Sequence, residues 1–272
     1  MVAAEMITMR RLVFAAVAIA MAVACGGGGG SATPPTAPTP IVNQPPGGGC
    51  DTLGLTSSPA ILNGVECDTS RSAVVLLNMR DASGLAAGAC SGTVIAERAI
   101  LTAAHCLDQG VRLVRIFLGS GLEIVAESFI GHPAFRGAGP NDVGVVKMRD
   151  PIGRRPIPLL LSRDARVGET AVVAGWGRNQ NDVPATLRAG VTTVTGIGTL
   201  LETQFGANVG SVCSGDSGGP ILLSEGGAWT IAGVTSATSE NICNTGTNFF
   251  VALRGEGIAS FILGEVPDAV QR

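Results

Sequence analysis

Short apolar stretches separated by glycine recur along the chain from Ile61 onward. The predicted strands are Ala73–Leu77, Arg112–Leu118, Glu123–Ser128, Val143–Met148, Ala171–Ala174, Val191–Gly196, Pro220–Leu223, Trp229–Val234 and Phe249–Leu253. Regularly spaced short strands with turn residues between them are typical of a β-barrel or a β-sandwich. One helix is predicted near the end of the chain, over Glu256–Leu263, with Gly264 as its stop.

The first 24 residues carry a different pattern, that of an export signal. Arg10 and Arg11 precede an apolar run, Leu12–Ala24, that is too short to span a bilayer comfortably. An acidic residue upstream favours Met9 as the start. The run ends Ala-Val-Ala before Cys25, which resembles the lipidation signal of bacterial lipoproteins. We predict that Cys25 is lipidated; the alternative is an ordinary signal peptide, and both lead to an oxidising compartment.

The predicted domain organisation follows from composition. Residues 25–60 form a linker and propeptide whose Gly, Pro, Thr and Ala content cannot bury a core. Residues 61–272 form the folded domain, which is long enough for one sizeable β structure. The net charge of −3 provides no basic field, and a nucleic-acid partner is therefore not expected.

Three short motifs contain histidine, aspartate and serine, in that order. They are Leu101-Thr102-Ala103-Ala104-His105-Cys106, Asn141-Asp142-Val143-Gly144-Val145-Val146 and Cys213-Ser214-Gly215-Asp216-Ser217-Gly218-Gly219-Pro220. Together with Gly175-Trp176-Gly177, they resemble the chymotrypsin family of serine proteases. The resemblance implies an all-β fold of two six-stranded antiparallel β-barrels, with the active site between them and a short C-terminal helix.

The same resemblance implies a catalytic triad of Ser217, His105 and Asp142. A serine hydroxyl needs a base to take its proton, and histidine titrates near neutrality. A buried carboxylate orients the imidazole and stabilises its charged form. The backbone N–H groups of Gly215 and Ser217 are expected to form the oxyanion hole. The other histidine, His132, lies in a turn-like Gly-His-Pro sequence and is predicted to be structural.

The chain has seven cysteines, and setting Cys25 aside leaves six, enough for three disulfides. Sequence alone leaves their pairing open. Two pairs come from the resemblance and the third from the two cysteines that remain: Cys90–Cys106, Cys213–Cys243 and Cys50–Cys67. Two histidines without ligand spacing make no usual zinc site, so we expect neither a metal nor another cofactor.

The resemblance also implies activation by cleavage before Ile61, whose new amine would pair with Asp216. A buried carboxylate without its cation is costly, so the substrate pocket should become ordered after the cut. The alternative is that Asp216 has another partner and that no cleavage occurs. The residues before the bond are Ser57-Ser58-Pro59-Ala60.

The predicted specificity pocket is narrow and uncharged. Ser211 stands at its base, where trypsin-like relatives have an aspartate. Ser236 and Thr238 belong to its wall, and Asn248 is expected to face it. Such a pocket favours small neutral side chains, and Ala60 fits that preference, which predicts self-activation.

The sequence thus predicts an exported serine endopeptidase that acts on protein or peptide substrates through an acyl-enzyme. We expect a monomer, held by a lipid anchor in a bacterial membrane. Two alternatives stay open. One is a catalytically silent protease-fold lipoprotein that only binds, and the other is a zymogen that becomes ordered without being cut.

Overall fold

A computed structural model describes residues 50, 53, 57–58, 65–108, 110–119, 121–178, 186–206, 209–240, 242–243 and 245–272. The strands are β1 (Ser57–Ser58), β2 (Val65–Cys67), β3 (Val74–Arg80), β4 (Ala86–Ala96), β5 (Ala99–Thr102), β6 (Leu113–Phe117), β7 (Glu123–Val125), β8 (Ser128–Gly131), β9 (Gly144–Lys147), β10 (Thr170–Gly175), β11 (Arg188–Ile197), β12 (Leu201–Gln204), β13 (Pro220–Glu225), β14 (Ala228–Thr238) and β15 (Thr247–Ala252). One α-helix, α1, covers Ile258–Glu265. The predictions on Cys25, Ala60 and Ile61 fall outside the described residues.

The C-terminal barrel is a closed six-stranded antiparallel sheet. Its strands follow the order β11-β10-β13-β14-β15-β12, and β12 pairs back with β11 to close the ring. Large apolar side chains, among them Ile221, Leu223 and Phe250, are fully buried inside it. β2 extends the sheet by pairing with β11, and β1 pairs in turn with β2.

The N-terminal sheet curls in the same way, in the order β7-β6-β3-β4-β5-β9-β8. Its two outer strands, β7 and β8, are separated by only two residues. The N–H of Ala126 donates to Val114 of β6 (3.0 Å), and that of Glu127 donates to Lys147 of β9 (2.9 Å). One bent stretch of chain therefore joins both edges of the sheet. The predicted all-β, two-barrel fold is confirmed.

Two local predictions from the sequence need correction. The helix starts two residues later than expected and includes Gly264, because the N–H of Val266 still donates to Ile262. The long strand β4 was not predicted, since the first part of its sequence is alanine and glycine without large apolar residues. No helix among the described residues is long and apolar enough to cross a membrane.

Three disulfides brace the fold. Cys50 is bonded to Cys67, Cys90 to Cys106 and Cys213 to Cys243, as expected. Together they indicate a protein that folds in an oxidising, extracytoplasmic compartment.

Candidate active site

His105 and Asp142 form a hydrogen-bonded pair in the N-terminal barrel. His105 lies in a 3-10 turn, Ala104–Cys106, that directly follows β5. Its Nδ1 is 2.7 Å from Oδ2 of Asp142, and its backbone N–H donates to Oδ1 at 2.9 Å. The Asp142 side chain is fully buried, whereas the histidine side chain is 27% exposed. A buried carboxylate on Nδ1 directs the other ring nitrogen, Nε2, outward as a base.

A serine from the other barrel completes the environment of Asp142. Ser236, on β14, donates its hydroxyl to Oδ2 of Asp142 at 2.6 Å. The same hydroxyl accepts the N–H of Gly139 at 2.9 Å. The sequence placed Ser236 only in the pocket wall, and its bond to the aspartate was missed. A buried polar residue at the end of an apolar strand was the one available signal.

Ser217 lies in a glycine-rich loop between Cys213 and β13. Its carbonyl oxygen accepts the N–H of Ser91 at 2.8 Å and lies 3.9 Å from Sγ of Cys106. Because Cys106 directly follows His105, the loop packs beside the histidine turn. Gly218 has a positive φ of 81°, and a Cβ there would lie 2.1 Å from Oγ1 of Thr102. Only glycine permits this close approach of the two barrels.

Two backbone amides of the Ser217 loop are available as donors. Among the described residues, no acceptor receives the N–H of Gly215 or of Ser217. The amides of Asp216 and Gly218 are bonded, to Cys213 (2.9 Å) and Thr235 (2.8 Å). The carbonyl of Gly215 is also held, by the hydroxyl of Ser91 at 2.9 Å. An anionic oxygen could therefore be bound by the two amides without breaking an internal bond of the described loop.

Asp216 points away from this loop into a tight backbone pocket. Its carboxylate accepts N–H bonds from Gly177 (2.8 Å) and Cys213 (2.9 Å). A Cβ at Gly175 or Gly177 would lie 2.2 or 2.5 Å from the carboxyl group, which explains the two glycines of the Gly-Trp-Gly motif. Burial raises the pKa of Asp216 to about 6, against the opposing effects of both hydrogen bonds and of Arg188.

Two residues that the sequence assigns to the pocket, Ser211 and Asn248, belong to a chain of uncharged hydrogen bonds. The hydroxyl of Ser211 donates to Oδ1 of Asn248 (3.1 Å), whose Nδ2 donates to Thr203 (3.0 Å). Asn248 is fully buried, and on β15 it pairs with Thr238 on one side and Thr203 on the other. The hydroxyl of Thr238 bonds to the carbonyl of Glu240. Thr203 was not predicted, because strand β12 carries no motif.

The other histidine has a different environment. Nδ1 of His132 accepts the N–H of Ala134, and its ring packs edge-on against Phe261. Burial lowers its pKa.

Within the described part of the chain, one group of candidate metal ligands occurs, Cys90, His105 and Cys106, and its two cysteines are bonded to each other.

A buried carboxylate–imidazole pair beside a glycine-flanked serine, on two packed β-barrels, is the arrangement of a serine-type endopeptidase. The sequence profile of the trypsin family, described as "Trypsin", matches residues 61–260, and the chain belongs to this family.

Named relatives agree with this assignment. Phenoloxidase-activating factor 3 of Holotrichia diomphalia is 28% identical over 71% of this chain and 68% of its own length. Chymotrypsin of Phaedon cochleariae is 31% identical over 49% of this chain and 59% of its own. A solved structure titled HL collagenase has a TM-score of 0.64 and 24% identity, covering 76% of this chain and 99% of that one. This last likeness concerns the fold alone.

Proposed function

We propose that the protein is an exported serine endopeptidase in which Ser217, His105 and Asp142 form the catalytic triad. The observation that carries the proposal is the 2.7 Å bond between His105 and the buried Asp142, beside the Ser217 loop. The triad hypothesis further relies on the two unbonded amides of Gly215 and Ser217 in the described loop, which would bind the oxyanion.

The proposed reaction has two steps. Oγ of Ser217 attacks the peptide carbonyl carbon while its proton passes to Nε2 of His105. The amides of Gly215 and Ser217 stabilise the negative oxygen, and His105 then protonates the leaving amine. Water, deprotonated by the same histidine, hydrolyses the acyl-enzyme and restores Ser217. Asp142 orients the ring throughout and stabilises its charged form.

Labelling with a fluorophosphonate probe tests this proposal. The processed protein should form one covalent adduct, located at Ser217 by peptide mass spectrometry. Ser217→Ala should abolish labelling, while Ser214→Ala, an exposed serine of the same loop, should leave it intact. Absence of labelling in the processed wild type would instead favour a catalytically silent binding protein.

We further propose a preference for small or medium neutral residues before the scissile bond. The support is Asn248, whose side chain is fully buried and is hydrogen-bonded to Ser211 and Thr203. Asn248→Gly should shift a peptide-library profile from Ala and Val toward larger apolar residues. Thr203→Val, which removes a hydrogen bond at nearly constant volume, should retain the preference for small residues. An unchanged profile in Asn248→Gly would contradict this assignment.

Activation by a cut between Ala60 and Ile61 is also proposed. Strands β1 and β2, which precede and follow this bond in the sequence, pair in antiparallel fashion, with Ser58 opposite Glu66. Arg188 links β2 to the Asp216 pocket, because it bonds Glu66 (3.2 Å) and the carbonyl of Gly177 (3.2 Å). The four residues before Val65 can extend roughly 13 Å, which gives the new amine considerable reach.

N-terminal sequencing of the secreted protein tests the cut. A new terminus at Ile61 is expected in the wild type, and an unprocessed Ser217→Ala variant, made in a host without other proteases, would indicate self-activation. Cys50 and Cys67 lie on opposite sides of the bond and are joined. The N-terminal fragment should therefore separate from the enzyme only after reduction.

A lipid on Cys25 and a monomeric state complete the proposal. Both named relatives are insect proteins, so the bacterial lipoprotein origin rests on residues 22–25 of this sequence alone. Mass spectrometry of the N-terminal peptide should show acylation that Cys25→Ser removes. Sedimentation of the Cys25→Ser protein should give one species at the monomer mass.

A further inference from the structure

A groove of about 510 Å³ lies beside the chain segment that connects the two barrels. Its apolar lining includes Trp229, Leu53 and the prolines of the 156–158 segment. Three arginines, all exposed, also line it: Arg71, Arg155 and Arg272. None of these residues belongs to the triad, the predicted pocket or a disulfide. The groove is therefore distinct from the candidate active site.

Among the described residues, the arginines that line the groove have no ion pair. No described acidic residue lines the groove, and none of the three arginines is paired with a described carboxylate. Asp68 attracts Arg71 but accepts both donors of Ser70 at 2.9 Å. Glu225, just before the turn that leads to Trp229, is bonded to Arg163.

The walls of the groove are fixed by backbone hydrogen bonds. The N–H of Ile157 donates to Val94 (3.0 Å), and that of Arg272 donates to Leu159 (2.9 Å). The carbonyl of Arg272 accepts the N–H of Leu161 at 2.7 Å. A preformed site loses less conformational freedom when a ligand binds.

The combination of groups identifies the ligand chemistry. Guanidinium groups bind carboxylates in a bidentate manner, and arginine clusters recognise acidic motifs. A half-buried tryptophan and two prolines in the same groove offer an apolar surface to an aromatic or aliphatic side chain. We propose that this groove docks an acidic peptide segment, with one large apolar residue, of a protein partner.

Other occupants fit less well. The chain's own linker, residues 26–49, contains no charged residue and would leave the arginines unpaired. A bilayer is flat on this scale, whereas the apolar groups line a concave groove. Charge complementarity therefore favours the acidic peptide.

Fluorescence anisotropy with the full chain carrying Ser217→Ala tests the proposal independently of proteolysis. The probe is a labelled peptide, Glu-Asp-Phe-Glu-Asp-Leu, and its matched control replaces the acids by Gln and Asn. The acidic peptide should bind more tightly, and its affinity should fall as salt rises. Arg155→Gln and Arg272→Gln should each weaken binding roughly threefold, and both together roughly tenfold.

Arg149→Gln is the control, since Arg149 is 80% exposed and pairs with Glu127 elsewhere. It should bind the probe like the parent. Equal affinity of parent and double variant for the acidic peptide, with unchanged thermal unfolding, would overturn the proposal. So would tighter binding of a peptide with the sequence of residues 36–45, or binding only to vesicles containing anionic phospholipid.

Discussion

Asp142 and Asp216 are both carboxylates removed from bulk water, but they differ in the hydrogen-bond donors that surround them. Asp142 accepts three hydrogen bonds, from the His105 ring, the His105 amide and Ser236. Asp216 accepts two backbone N–H bonds, and burial raises its pKa to about 6. On the histidine side of the site, which consists of His105 and Asp142, the carboxylate is fully hydrogen-bonded. On the serine side, which is the loop of Gly215, Asp216 and Ser217, the buried carboxyl group of Asp216 would be stabilised by a cation.

The proposed enzyme requires both a correctly oriented His105 and a correctly placed Ser217 loop, and the two carboxylates affect these separately. The orientation of His105 depends on contacts that exist in the described structure. The loop of Gly215 and Ser217 depends on how Asp216, between them, is neutralised. Cleavage should therefore act on the serine side and leave the histidine side unchanged.

Asp142→Asn should produce the largest effect, a fall in kcat of roughly 10⁴-fold, the loss this substitution causes in the trypsin-type triad. The amide stabilises the wrong imidazole tautomer and cannot balance the imidazolium. Steady-state kinetics on a short peptide measure the loss, and the low-field Nδ1 proton resonance of His105 should disappear. Asp68→Asn, at an exposed acid, is the control. Full activity of Asp142→Asn would refute the assigned pairing.

Asp216→Asn should lower kcat/KM of the cleaved enzyme by roughly 10²–10³-fold, because removing one partner of a buried ion pair costs about 3–5 kcal/mol. The low-field His105 resonance should persist, in contrast to Asp142→Asn. A variant that loses this resonance together with its activity would show that the two sides are not separable.

The same residue should make the stability of the uncut protein pH-dependent. The folded-state pKa of about 6 exceeds the ordinary aspartate value of 3.8, so the folded protein holds this proton more tightly than the unfolded chain does. Protonated Asp216 therefore raises the free energy of unfolding, fully below about pH 4, and this contribution of about 3 kcal/mol is lost as pH rises through about 6.

Denaturant unfolding of uncut Ser217→Ala at pH 4, 5, 6 and 7, with and without Asp216→Asn, measures this contribution. The difference between the two proteins isolates Asp216. In the cut form, the free energy of unfolding should not fall in this way as pH rises, because an ammonium partner favours the charged form of Asp216. A pH-independent difference in the uncut pair would contradict the assigned cause.

Ser236→Ala should have the smallest effect, a loss of roughly tenfold in kcat, since a hydrogen bond to a charged group contributes about 1.5–3 kcal/mol. Two donors to Asp142 remain. Ser224→Ala, an exposed serine on the neighbouring strand β13, should retain normal kcat. Equal rates in both variants would show that the bond from Ser236 does not support the aspartate.

The three motifs, through the family resemblance that they carry, were sufficient to anticipate much of this molecule. The resemblance led to the barrels, to His105 beside Asp142 and to two of the disulfides, and the two cysteines that remained gave the third. Strand β4 and the end of α1 were not predicted correctly. The Ala/Gly-rich strand β4 pairs with β3, and α1 continues through Gly264 with the N–H of Val266 donating to Ile262.

The sequence by itself determined which groups can react: one serine followed by two glycines, two histidines and an aspartate before an apolar strand. Only the tertiary structure decided that Ser236 bonds to Asp142, that Asn248 links Ser211 to Thr203, and that three arginines distant in sequence line one groove with Trp229. The physical reason is distance along the chain. Ser236 is 94 residues from Asp142, and a hydrogen bond across that separation depends on the register of two barrels and leaves no local periodicity in the sequence.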